Sequence, residues 1–385
     1  VSSIDSSAEA VRTDVPQGVV VTVTGEVAPG SLGVVLPHEH LLSDFGTPGD
    51  SAEAWEAVGR VRPTAAGRLR LYEAPLTMDL LGEIGLGAPN RDDWLLGDQD
   101  LAARELAAFK AAGGGTLVDV TSAGLGRDPA GLRRVSEASG VAVVMGTGWY
   151  HPAWVRGRLL AREAGQADGP AASGDHVPDV ERLTEEIVRD LTEGVDGVRA
   201  GIIGEIAALD PDEPAERAVL VAAARASAAT GAAISIDRSE AAATQQRVLD
   251  VLAGEGADLT RVAVGHCDAL SSSPDALEPL LARGVYVQFD QLGRLPTVLS
   301  VSDDQDVAAA VVELARRGHA GRLLLSQDVS AKSHLHAYGG GGYGFLLRQF
   351  VPFLKMLGAD DALIEAVTTA NPRRLLTIPT PKADS

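Results

Sequence analysis

The sequence predicts an α/β fold, a (β/α)8 TIM barrel carrying a short N-terminal β-hairpin extension. Three observations point there. Eight short runs rich in Val, Ile and Leu recur along the chain, at residues 33–40, 116–121, 141–147, 200–206, 232–237, 261–266, 285–290 and 322–328. Most are separated by segments such as 216–230, 243–253 and 307–317, whose apolar residues recur at i, i+3, i+4 and i+7 and cover one helical face. Strands that are apolar on both faces and separated by helices must pair in parallel. Eight such units close most simply into a barrel, with an open doubly wound sheet as the alternative.

The elements follow in order. Residues 19–27 (VVVTVTGEV) and the PGSLG after them read as a hairpin leading into the first buried strand. Residues 51–100, with Trp55 and Trp94, are long for a connection and are expected to carry helices that cover one end of the barrel. Gly231, Gly284 and Gly318 each stand just before a strand, where a left-handed C-cap lets the chain turn out of a helix. Residues 163–180, rich in Gly, Ala, Pro and Asp, read as a surface loop after the third strand, either a lid or slack. The expected organisation is one domain over 18–376 between small, polar tails at 1–17 and 377–385.

Composition narrows the function. The 385 residues carry 33 basic and 53 acidic side chains, a formal charge of -20 that a nucleic-acid backbone would repel. No apolar run approaches the roughly 18–20 residues that cross a bilayer, so no membrane partner is expected. The single cysteine, Cys267, excludes an intrachain disulfide and a cysteine-based zinc site, and leaves His and carboxylates as metal ligands. With no basic n-region and apolar h-region at the start, a cytoplasmic protein with a small-molecule partner is the expectation.

Polar residues ending apolar runs carry the chemistry, because a buried His or carboxylate costs several kcal/mol unless it is paired or ligates an ion. The first run ends in Pro37-His38-Glu39-His40, and strand alternation turns His38 and His40 to one face and Glu39 to the other. Later runs end in Glu205, Asp237, His266 and Asp328, spaced by about one, one and two βα units. In a barrel all of these reach the C-terminal rim, where barrel active sites lie. Three His and three carboxylates gathered there call for one or two divalent cations to offset the repulsion. Such ions lower the pKa of a bound water towards about 7 and polarise the bond it attacks.

The chain also resembles a known family, the phosphotriesterase-related group of the amidohydrolase superfamily. The resemblance rests on LPHEHLLSDF (36–45), MGTGWYHP (145–152), GVRAGIIGEIA (197–207), ISID (234–237), DLTRVAVGHCD (258–268), GVYVQFDQLGR (284–294), LLLSQDVSAKSHLHAYGGGGYGFLLRQFVPFLK (323–355) and ANPRRLL (370–376). It implies a barrel hydrolase with two divalent ions, usually zinc, often as a homodimer. His38, His40 and Asp328 would hold one ion. His266 and the fifth-strand residue would hold the other, and Glu205 would bridge them in place of a carboxylated lysine. The chain departs from the family at the fifth strand, where Asp237 replaces histidine. A harder, shorter, negative ligand favours Mn²⁺, Mg²⁺ or Fe²⁺ over Zn²⁺, weakens the second ion, or marks altered chemistry.

The expected function is a metal-dependent hydrolase acting on a lactone, amide or phosphoester of a small molecule, with Asp328 as ligand and general base and Glu205 holding the ions together. The alternative, motivated by Asp237, is a mononuclear or metal-free member catalysing an elimination or cyclisation in specialised metabolism. A binding protein without turnover is a third reading. Trp149 and Tyr150 are the expected substrate-contacting residues. Asp268 reads as a proton relay or a solvated loop residue, His334 and His336 as part of a flexible loop before GGGGYG, and Cys267 as inert.

Overall fold

The computed structural model describes residues 15–47, 51–151, 154, 177–207, 209–298 and 300–380. Eight parallel strands form one sheet that curls into a nearly closed barrel. In chain order they are Val34–Glu39, Gly114–Asp119, Ala142–Thr147, Ile202–Ile206, Ile234–Ile236, Val262–Val264, Tyr286–Phe289 and Leu323–Leu325. Each pairs with the next, for example Leu117 with Val143 and Ala263 with Ser235. Between the last and first strands the Asp328 N–H donates to His38 O at 3.2 Å and the His38 N–H to Ser326 Oγ at 3.1 Å.

Several strands are shorter than the apolar runs that predict them. The sixth leaves the ladder before His266 (φ 54°) and the eighth before Asp328 (φ 44°), both in the left-handed region. Non-glycine residues pay for that conformation, and such strain collects at functional sites. Here it turns two strand-end side chains over the barrel mouth.

The helices match their sequence periods. Pro214–Thr230 starts with Pro in its first turn and ends at Gly231, whose φ of 74° supplies the left-handed cap. Asp304–Arg316 starts with a capping box between Asp303 and Asp306. Their apolar faces pack on the outer side of the sheet, with Leu220, Ala224, Val311 and Leu314 fully buried in the core.

The N-terminal hairpin pairs Val20–Thr22 with Gly25–Val27 and is tied to the third strand by the Val23 N–H to Val143 O bond, 2.8 Å. Val19 and Ile378 bridge antiparallel, so the chain remains part of the fold just past 376. In the long connection after the first strand, Ser43–Asp44 pairs with Leu95–Leu96, and the helices between them bring Trp55, Tyr72 and Trp94 into one aromatic cluster. Most of the loop at 163–180 lies outside the described residues. No helix among those described is long and apolar enough to cross a membrane.

Candidate metal centre and its cavity

His38 lies in the first strand and His40 immediately follows it; both are fully buried and turned into the mouth of the barrel. Glu205 lies within the fourth strand and Asp237 directly follows the fifth. His38 Nε2 and His266 Nε2 each lie 3.4 Å from Glu205 Oε1, and His40 Nε2 lies 3.5 Å from Glu205 Oε2. Asp328 Oδ1 is 3.5 Å from His40 Nε2 and 4.0 Å from His38 Nε2, and Asp237 Oδ1 is 3.4 Å from His266 Nε2. The structure thus brings all six expected ligands together.

These separations are those of ligands around an ion. Four donors at about 2.0–2.1 Å from a zinc ion stand about 3.4 Å apart in a tetrahedron. Two groups, His38–His40–Asp328 and His38–Glu205–His266, each place their ligand atoms within 4.8 Å of one another. His38 Nε2, His40 Nε2, Glu205 Oε2 and Asp237 Oδ1 are all buried without a hydrogen-bond partner. Orphaned polar atoms are costly in a folded interior. Four aimed into one space fit a divalent cation.

The electrostatics agree. Burial alone would push the His38 imidazole down, yet Asp290, Glu205 and Asp328 raise it to about 10. Against burial, Asp290 and Asp237 likewise hold His266 well above its usual range. Against burial, the neighbouring His38, His266 and His40 rings hold the Glu205 carboxyl well below the usual range. Asp237 is pushed well up by burial and by Glu205. The carboxylates draw positive charge into the cluster, and a divalent ion supplies it with the ring Nε2 atoms free to ligate.

A supporting layer fixes these rings. Asp290 Oδ1 is 2.9 Å from His266 Nδ1, and Gln288 Nε2 donates to Asp290 Oδ2 at 2.8 Å and stands 3.0 Å from His38 Nδ1. His40 Nδ1 is 2.9 Å from Thr121 Oγ1. Asp119 accepts from the Leu41 and Thr121 N–H groups, holding the residues on either side of that contact. Partners of this kind set which ring nitrogen ligates. Asp290 ends the seventh apolar run as Asp237 ends the fifth, so the same strand-end rule points to it. Gln288 and Asp119 carry no such signal.

Two expectations change. Asp268 is not a solvated loop residue: at 4% exposure it accepts from the Asp290 and Gln291 N–H groups, and burial with the nearby Asp290 raises its carboxyl to about 7. Trp149, at 3% exposure, packs into the hydrophobic core, because Gly148 (φ 103°) turns the chain after the third strand. Tyr150 is the aromatic residue on the cluster's side; burial and the charges of Glu205, Asp237 and Asp328 keep its phenol protonated. Arg238, next to Asp237 in the chain, donates to His266 O and Ser239 O. Cys267 is buried with its thiol pushed far up by burial, as expected for an inert residue.

Beside the cluster is a cavity of about 600 Å³ lined by, among others, Phe45, Arg60, Trp94, Gln291, Arg294 and His334. The Phe45 ring meets His40 edge-on at 4.9 Å, and the Arg294 guanidinium donates to Asp328 Oδ2. The cavity therefore abuts the site where a reacting bond would lie. No sequence signal marked Arg294, which stands in the loop after the seventh strand.

Sequence and structure comparisons show which known proteins the chain is similar to. The chain is 29% identical over 370 residues to the N-acetyltaurine hydrolase of Homo sapiens, across 94% of this chain and 98% of that protein. It is 31% identical over 291 residues to the N-acetyltaurine hydrolase of Dictyostelium discoideum, across 74% of each. Among solved structures, a resiniferatoxin-binding protein from Rhodobacter sphaeroides superposes with a TM-score of 0.80 at 33% identity, covering 97% of this chain and 98% of that one. The Phosphotriesterase family model matches residues 18–376, the span that holds the barrel and every strand-end ligand, and the chain belongs to that family.

Proposed function

We propose that the protein cleaves the amide bond of a small N-acylated compound, using one or two divalent ions held by His38, His40, Glu205, Asp237, His266 and Asp328. By family and by its hydrolase relatives the chain is a hydrolase of small molecules. The choice of an amide rests on relatives named for hydrolysis of N-acetyltaurine. The observation that carries metal dependence is the set of buried ring nitrogens and carboxylate oxygens without partners, all aimed into one space.

Divalent ions bound there supply Lewis-acid polarisation of the amide carbonyl and lower the pKa of water to about 7. The chain's own residues do the rest. Asp328 turns Oδ1 to the rings of His38 and His40, takes the proton of the attacking water and passes it to the departing amine. Glu205 spans the cluster, with Oε1 facing His38 and His266 and Oε2 facing His40. The protonated Tyr150 phenol donates a hydrogen bond as negative charge builds on the carbonyl oxygen. Water and the amide become a carboxylic acid and an amine. The two-His position suits Zn²⁺, whereas the position beside Glu205 and Asp237 is richer in oxygen and suits a harder ion.

Asp237 supports a second reading. It falls outside both groups whose ligand atoms lie within 4.8 Å of one another, as it would if only one ion bound and the reaction were an elimination or cyclisation. The test is metal content per chain, by elemental mass spectrometry on protein purified without chelator, followed by turnover of N-acetyltaurine, a simple lactone and a phosphotriester. Bound metal with amide turnover that a chelator abolishes supports the proposal. Protein that neither contains nor takes up metal, or metal-loaded protein that hydrolyses none of the three, overturns it.

A further inference from the structure

The cavity beside the cluster places two guanidiniums, Arg60 and Arg294, next to the site in a chain with a charge of -20. Four aspartates line it, and each is occupied by backbone N–H groups. Asp93 accepts from Ser333, Asp268 from Asp290 and Gln291, Asp303 from Gln305 and Asp306, and Asp304 from Gly293. The two guanidiniums are less well matched. Arg60 gives one N–H to Phe45 O at 2.6 Å and lies over the Trp94 ring at 3.8 Å, and no carboxylate among the described residues pairs with it. Arg294 reaches Asp328 O and Oδ2, but its Nε is buried without a hydrogen-bond partner among the described residues. His334, beside them, is held neutral, so it adds no competing charge.

An arginine fork presents parallel N–H donors that match the oxygens of a carboxylate or sulfonate. Arg294 stands against Asp328, within one side chain of the reacting bond, and Arg60 sits on aromatic rings in the same cavity. We propose that Arg294, with Arg60 behind it, is the specificity-determining residue that binds an oxyanion on the substrate, so that the amide cleaved carries a carboxylate or sulfonate close to the scissile bond. This rests on the amide hydrolase reading and adds the charge the substrate must bear.

The test compares N-acetyltaurine and N-acetyl-β-alanine with the uncharged N-propylacetamide, in native protein and in Arg294→Gln and Arg294→Lys, each with its metal content measured. The readout is the acid-to-neutral ratio of kcat/KM, in which any loss common to all substrates cancels. Native protein is expected to favour the acids, Arg294→Gln to lower the ratio by about 10- to 100-fold, and Arg294→Lys to recover part of it by restoring charge without the fork. Which acid is preferred identifies the oxyanion. Calorimetric titration with propane-1-sulfonate and butyrate reads the same site without turnover, and binding is expected to weaken by a similar factor in Arg294→Gln. A native enzyme that prefers the neutral amide, or a ratio and anion affinity unchanged in Arg294→Gln, overturns the inference. Anion binding that depends on Arg294 with no amide turned over leaves the oxyanion site standing and removes the amide reading.

Discussion

Asp290 Oδ1 stands 2.9 Å from Nδ1 of His266, and the opposite ring nitrogen of that histidine faces Glu205 and Asp237 at 3.4 Å each. The carboxylate thus fixes a proton on Nδ1 and leaves Nε2 for a cation. Asp290→Asn replaces a charged acceptor with an amide that satisfies it poorly, while preserving shape. Affinity for the second ion is expected to fall about 10- to 100-fold, as removal of such partners does at other sites. Competition against a chelator of known affinity measures it, and an unchanged constant would reduce Asp290 to a packing role.

Asp237 and Glu205 put two carboxylates beside one imidazole, and their mutual repulsion, with burial, raises the Asp237 carboxyl. Asp237→His removes one of those charges and adds a softer nitrogen donor. The expected outcome is a shift of the second position towards Zn²⁺ over Mn²⁺ by about tenfold or more. Elemental mass spectrometry after equilibration in a mixture of the two ions reads it directly. Higher turnover of simple esters in the same variant would mark Asp237 as attenuating an ordinary hydrolytic site; loss of native turnover without that gain would give Asp237 a role of its own.

The residues readable from the sequence share one physical property. His38, His40, Glu205, Asp237, His266 and Asp328 all lie at or near the ends of apolar runs, where an unpaired polar group would be too costly to keep. Asp290 obeys the same rule but escapes a search for ligands alone, since it acts through His266 and through Gln288, which approaches His38. Asp268 escapes because its partners are backbone N–H groups, which have no residue type to betray them. Arg294 sits in a loop, where position depends on the path of the chain and not on any periodicity. The early strand ends at His266 and Asp328 escape for a related reason: left-handed backbone at a non-glycine residue leaves no compositional mark.

Glu39 points away from the metal cluster and joins the first strand to the chain beyond the last. Its Oε1 accepts from Ser326 Oγ and the Gln327 N–H, both at 2.7 Å, and its Oε2 from the Val329 N–H at 2.8 Å. Burial raises this carboxyl to about 7 while the three donors pull it down. Glu39→Gln turns an NH2 group against at least one of those donors, leaving buried N–H groups unmatched. The expected loss is about 1–3 kcal/mol of stability, read from denaturant midpoints of metal-loaded protein. Because these bonds hold the segment containing Asp328, a loss of activity larger than the loss of folded protein is expected to accompany it.

His334 provides a pH test at a ring outside the ligand set, although His40 and the Asp328 backbone also act on it. Its Nδ1 accepts from the Ser330 N–H at 3.3 Å, which only a neutral ring can do, and burial with the nearby Arg294 pushes its pKa down to about 3. In the unfolded chain the same group titrates near about 6.5. Above that pH neither state binds the proton and the neutral ring's contribution is fully present. As pH falls below about 6.5 the unfolded chain takes up a proton that the folded chain refuses, so stability declines towards pH 3, by at most about 1.4 kcal/mol per pH unit from this group. His334→Gln removes the titration and keeps a polar side chain near Ser330. The fall in melting temperature between pH 7.5 and pH 5 is therefore expected to be smaller in the variant than in the native protein. An equal fall in both would show that His334 is protonated in the folded state, and would place a second positive charge beside Arg294 in the cavity wall.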